Sequence, residues 1–155
     1  MQVTSGFTLL TPLIALVLGA VGVGGGIYET VLVDRVWPAN PAMIQPRRGG
    51  IHRALFWGPV QTLYELTLLA TAWMVWHIAD ARWWIIVALA AHFATRVWSF
   101  AYFIPSALRF EKLDDLTEEQ RHEAQRWIRL SRARPVLEAL AVMAQCMMIL
   151  HLAMR

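Results

Sequence analysis

Charge is what this chain has least of. No charged side chain occurs from Met1 to Tyr28, and over all 155 residues the charged fraction is 16% against 57% hydrophobic. Soluble domains carry about 25% charged residues, so this balance excludes an ordinary water-soluble domain. Cysteine is nearly absent too: Cys146 stands alone, which excludes an internal disulfide and leaves the redox compartment open. Several chemical signatures are missing. The glycines of Gly22-Val23-Gly24-Gly25-Gly26 follow no strand and open no βαβ unit, so they make no dinucleotide fingerprint. No serine sits in a nucleophile elbow with His and Asp partners. A di-iron site in a bundle needs Glu-x-x-His on two helices. That spacing occurs once, at Glu119 and His122, in a polar stretch. Internal repeats and low-complexity runs are lacking as well.

What is present is apolar length. Ala54 to Ile78 contains one charged residue, Glu65; Trp83 to Leu108 contains only Arg96, and Pro135 to Met154 only Glu138. Each segment reaches the ~20 residues that cross a hydrocarbon core. The fold class expected is therefore all-α: one membrane domain, a four-helix bundle with spans at about 8–31, 54–78, 83–105 and 134–153. Pro12, Pro59 and Pro135 fall in or near first turns, where a missing N–H is tolerated, and Pro105 closes the third helix. The first helix lacks a basic leader and is too long for a cleaved signal, so it reads as a retained span.

The basic residues set the orientation. Arg35, Arg47, Arg48 and Arg53 lie in the first loop, and Arg109, Lys112, Arg121, Arg126, Arg129, Arg132 and Arg134 lie between helices 3 and 4. Only Arg82 and Arg155 fall on the other side. The positive-inside rule puts both long loops in the cytoplasm and both termini outside, in the inner (cytoplasmic) membrane. Trp37 and Trp57 then mark the cytoplasmic interface, and Trp73, Trp76, Trp83 and Trp84 the outer one. The net charge of +3 suits anionic lipid headgroups and gives no support for nucleic-acid binding, since no stacking platform accompanies it. Thr117 with Gln120 has capping-box spacing, which predicts a cytoplasmic helical segment over about 116–133. That segment reads either as a charged connector on the membrane surface or as a lid over a cavity.

The few polar residues inside the spans fall on faces. Gly19, Gly22, Gly26 and Glu29 follow at spacings of three, four and three, one side of a helix. Gln61, Tyr64 and Glu65 do the same on the second span. His92, Arg96 and Ser99 do so on the third with Tyr102 nearby, and Arg134, Glu138 and Gln145 on the fourth. A lone charge in the bilayer costs at least ~2.5–3.5 kcal/mol, so these groups should face each other, with Glu65 and Arg96 as the central pair. Either the stripe is structural glue, or it lines a functional cavity open to the cytoplasm. Metal alternatives sit at the outer end. His77 and His151 are candidate haem ligands, and Met147 with Met143, Met154, His151 and Cys146 forms a copper-like face. Boundary histidines and lipid-facing methionines are the commoner reading of both.

The pattern of a glycine-rich first helix with Gly25, Ile27, Tyr28 and Glu29 at its end, then Trp37-Pro38, Pro105, and finally Trp127 and Arg134, is a familiar one. It resembles the anthrone-oxygenase-like family of small four-helix integral membrane proteins, most of them without an assigned activity. The Arg47-Arg48-Gly49-Gly50 turn and the insert from Glu111 to Arg126 depart from it. The resemblance implies a cofactor-independent oxidation of a flat phenolic or quinone-like substrate. Glu65, Glu29 or His92 would act as base and Arg96 would hold an anionic intermediate. Arg134 would assist at the cytoplasmic mouth, Tyr28 and Tyr64 would hydrogen-bond a phenolic oxygen, and Gly22, Gly26, Gln61, Ser99 and Glu138 would complete the substrate site. No cofactor is expected; the partners are a lipophilic small molecule and membrane lipid, and the oligomeric state stays open. Two other readings compete: a proton-coupled carrier working through Glu65, and a structural or partner-binding membrane subunit.

Overall fold

The computed structural model describes residues 7–154, so Arg155, one of two basic residues assigned to the outer side, lies outside the described residues. Helices make up most of those residues, with no strand among them. Helix α1 runs from Phe7–Tyr28 through a π-helical turn, Glu29–Val33, to Asp34–Val36. Short 3-10 turns, Pro41–Ile44 and Pro46–Arg48, lead to α2, Arg53–Val75. Helix α3 begins at Ala79–Trp98, passes a second π-helical turn, Ser99–Phe103, and ends with Ile104–Phe110. Helix α4, Glu118–Ser131, meets α5, Ala133–Ala153, with only Arg132 between them.

Among the described residues three continuous helical stretches are long and apolar enough to cross a membrane: Leu9–Val36, Ala79–Phe110 and Glu118–Ala153. Helix α2 has 23 residues but carries Gln61, Thr62, Tyr64 and Glu65 at mid-length, and it is not one of the three. The chain is thus an all-helical protein with three membrane-competent helices.

Helix α3 does not stop at Pro105. The Ile104 N–H bonds to the Ser99 carbonyl, one residue further back than in an α-helix, and the helix continues to Phe110. A proline has no N–H and its ring pushes on the carbonyl four residues earlier. Widening the preceding turn relieves that crowding without ending the helix. An equivalent bond, Asp34 N–H to Glu29 O, carries α1 past the expected end at residue 31. Pro12 and Pro59 also lie inside their helices, whereas Pro135 keeps a first-turn place.

Two apolar cores result. One joins α2, α3 and α5 through Leu68, Ile85 and Met148, with Ala81, Ala88, Ala141 and Ala144 buried between them. Small residues let the axes of α3 and α5 approach, and these two helices make the most extensive contact in the molecule. The second core is an aromatic cap. Trp127 of α4, 2% exposed, meets Phe103 at 5.6 Å and Trp37 at 6.2 Å between ring centres, and Trp37 meets Phe110 at 5.2 Å. Its indole N–H donates to the Phe103 carbonyl at 3.2 Å, which pins α4 to the π-helical turn. The expected capping box is formed: Gln120 N–H donates to Thr117 Oγ1 and Thr117 N–H to Gln120 Oε1. Gln45 donates to the Leu113 carbonyl at 2.5 Å and ties the first loop to the same end. The segment over 118–131 is therefore packed into a core, not a bare charged connector.

A candidate ligand cavity

Between the two cores lies a cavity of about 420 Å³, lined by all five helices. That size falls within the ~300–1,000 Å³ range of small-molecule sites. Both π-helical turns border it. Glu29 and Thr30 come from the first, and Ser99, Phe100 and Phe103 from the second. Such turns shift side chains out of α-helical register and are frequent at functional sites. Three residues apart in α1, Gly26 and Glu29 share the face that turns inward, as their spacing implied.

The glycines of that face do two different jobs. A Cβ on Gly26 would lie 2.9 Å from Pro135 Cγ, and one on Gly19 2.9 Å from Val142 Cγ2, so both positions serve close approach of α5. At Gly22 the nearest atom would be Gln61 Nε2 at 3.7 Å, an ordinary contact. Gly22 leaves cavity space; Gly19 and Gly26 are seams.

Of the residues singled out from sequence, Gly22, Gly26, Glu29, Gln61, Arg96, Ser99, Arg134 and Glu138 line this cavity. Glu65, His92 and Tyr64 lie behind it. His92, fully buried, sets Nδ1 3.2 Å from both carboxylate oxygens of Glu138. Glu138, 4% exposed, thus reaches the cavity wall while His92 orients it from the rear. The Tyr64 ring stands edge-on to His92 at 4.7 Å, and its hydroxyl accepts from Gln145 at 2.5 Å. Glu65 Oε2 lies 3.5 Å from Arg96 Nε, the pair expected from sequence, and the guanidinium of Arg96 rests 4.5 Å from the Phe100 ring centre. Tyr28 does not belong. It is 54% exposed and borders a neighbouring hollow that shares Glu29, Arg53 and Trp57 with the cavity and adds Gly24, Gly25 and Phe56. Two residues beyond Gly26 is about 200° round a helix, which turns Tyr28 away from the inward face.

Other wall residues escaped the sequence reading. Trp57 donates its indole N–H to Glu29 Oε1 at 2.9 Å. Arg53 meets Glu111 at 3.0 Å and ties the start of α2 to the end of α3. Beside them Arg134, which the sequence did single out, stacks its guanidinium 4.4 Å from the Phe103 ring centre and donates to Ser131 Oγ at 2.8 Å. A signal existed on α2: Ala54, Gly58, Gln61, Thr62 and Glu65 share one face at helical spacing. Long-range partners such as Glu111 left no local signal.

The polar wall is incompletely satisfied. Gln61 Oε1, Arg96 Nε, Arg134 Nε and His92 Nε2 are buried with no hydrogen-bond partner among the described residues. An unmet buried group costs about 1–3 kcal/mol, and His92 lies behind the wall while Arg96 Nε has the Glu65 carboxylate at 3.5 Å, so it is Gln61 and Arg134 that favour a polar-edged ligand there. At the opposite end His151 Nδ1 lies 2.8 Å from the Met147 carbonyl and its ring 6.2 Å from Trp84. No cluster of three or more His, Cys, Asp or Glu with metal-binding geometry occurs among the described residues. Compared with protein-family models, curated proteins and solved structures, the chain finds no match in any of the three.

Proposed function

We propose that this is a multi-pass protein of the cytoplasmic membrane, in which α2 completes a four-span bundle with both termini outside. The aromatic cap then sits at the cytoplasmic face. Its cavity binds a flat lipophilic ligand, and Glu138 takes a proton from it. The observation that carries this reading is the Glu138–His92 pair. A buried carboxylate stands on the wall of a ligand-sized cavity, held by a histidine whose second nitrogen has no partner. With its Nδ1–H donated to the carboxylate at 3.2 Å, His92 holds Glu138 aimed at the cavity while the proton is taken. Arg96 and Arg134 stand ready to hold the anion that remains. Positioned acid–base groups of this kind contribute roughly 10²–10⁴-fold in rate.

The anthrone-oxygenase-like resemblance extends the reading to a phenolic substrate and dioxygen. A ring CH₂ lying across the central ring from a carbonyl, and conjugated to it through the aromatic rings, loses its proton to Glu138; the carbanion bonds to dioxygen, and the hydroperoxide loses water. The balance is CH₂ + O₂ → C=O + H₂O, with the carbon oxidised and dioxygen reduced. Oxygen uptake by the protein in nanodiscs with 1,8-dihydroxyanthrone tests it. The rate should exceed that of empty nanodiscs and fall at least a hundredfold in Glu138→Gln. Equal rates for protein and empty discs overturn the oxygenase reading.

A structural role is the second reading, and a specific observation favours it. Arg53–Glu111, Arg96–Glu65 and His92–Glu138 each join two different helices, as register-fixing pairs would. In that case Glu138→Gln alters stability or assembly and no ligand binding is there to lose.

A further inference from the structure

The cavity is not closed on every side. Its lining residues that are exposed all belong to α2 and α3: Ala54, Gly58 and Thr62 on one helix, Phe100, Ile104 and Leu108 on the other. These two helices join at a short turn near Ile78 yet share much less contact than α3 with α5 or α1 with α2. They part toward the cavity end. Helix α2 lines the gap with small side chains at spacings of four.

The surface around this gap is apolar. Leu55 and Leu63 on α2 and Val97, Phe100, Ile104 and Leu108 on α3 are exposed beside it. The neighbouring route, past the ends of the helices, is obstructed by the Arg53–Glu111 bridge and by Trp127 in its core. A molecule leaving the apolar phase meets an opening, and one coming from the cap side meets side chains. The wall also selects charge. Arg53, Arg96 and Arg134 face Glu29, Glu111 and Glu138, three of each sign, so a formally charged ligand gains no net attraction. Aromatic rings at Trp57, Phe100, Phe103 and Trp127 suit a flat partner.

Resting on the ligand-binding reading above, we infer that the gap between α2 and α3 is a lateral portal. It admits an uncharged, flat amphiphile directly from the bilayer, its carbonyl or hydroxyl edge going in toward Arg134 and Glu138. This replaces the cytoplasmic opening expected from sequence. Gly58 is the constriction to test, because a Cβ there would meet nothing within 4 Å and a larger side chain can enter the gap without displacing its neighbours.

The probe is 1,8-dihydroxyanthraquinone delivered from donor vesicles to protein in liposomes, followed by quenching of tryptophan fluorescence. Gly58→Leu and the double variant Gly58→Leu/Thr62→Phe should slow both uptake and release at least tenfold, a larger factor than any change in the bound fraction at equilibrium. Gly24→Leu, beside the other hollow, should leave both rates alone. Gly22→Leu fills the cavity itself and should abolish saturable quenching. Wild-type rates in both portal variants, with binding still lost in Gly22→Leu, overturn the portal and leave the cavity standing. Saturable quenching that survives Gly22→Leu overturns the cavity reading and the portal with it. A thermal midpoint within a few degrees of wild type is the criterion for scoring each variant.

Discussion

The two ends of this molecule solve the packing problem by opposite means. At the end away from the cap α3 and α5 close on each other through alanines, and α2 adds Leu68, Ala72 and Val75. At the cap end four large rings, Trp37, Phe103, Phe110 and Trp127, fill the space that splayed helices leave. The first solution uses absence of side-chain volume to bring backbones together. The second uses volume to hold them apart, and the cavity exists because of it. Ionisable groups gather where the helices diverge: Glu138, Arg96, Arg134 and Glu29 all border the cavity.

Substitutions can break or sharpen that contrast. Trp127→Ala should have the largest effect, about 3–5 kcal/mol of stability by loss of a buried ring, and it also strands the Phe103 carbonyl. Thermal unfolding in nanodiscs reads it, and a small shift would mean the cap is not a core. Next comes the alanine seam. Ala88→Leu or Ala141→Leu should cost about 1–3 kcal/mol by overpacking, and tolerance of either would mean that the helices are not in close register. Gly26→Leu belongs with these, since its side chain runs into the Pro135 ring. Gly24→Ala goes the other way. Nothing lies within 4 Å of its Cβ, so removing a helical glycine should stabilise by up to about 1 kcal/mol.

Spacing made part of this legible. Gly22, Gly26 and Glu29 share an inward face because a helix repeats every 3.6 residues, and Thr117 with Gln120 marks a helix start because the capping bonds are local. The Glu65–Arg96 pair followed from the cost of a lone charge in lipid. What spacing could not carry was the continuation of α1 and α3 through π-helical turns. A proline after Ser99–Phe103 reads as a stop, and nothing in Glu29–Val33 announces a wider turn. Those turns decide which residues reach the cavity. The rank order of His92 and Glu138 was hidden for a different reason. Both are polar and inward on their own helices, and only the closeness of α3 and α5 places one behind the other.

The central claim is that the space between the cap and the alanine seam holds a lipophilic ligand against Glu138. Photolabelling in native membranes with a diazirine-bearing hydroxyanthraquinone, followed by peptide mapping, tests it most directly. The account predicts label on the residues around Trp57 to Thr62 and Ser99 to Leu108, competed away by unlabelled compound and lost in Gly22→Leu. Label confined to the outer faces of the helices, unaffected by competitor, would contradict it.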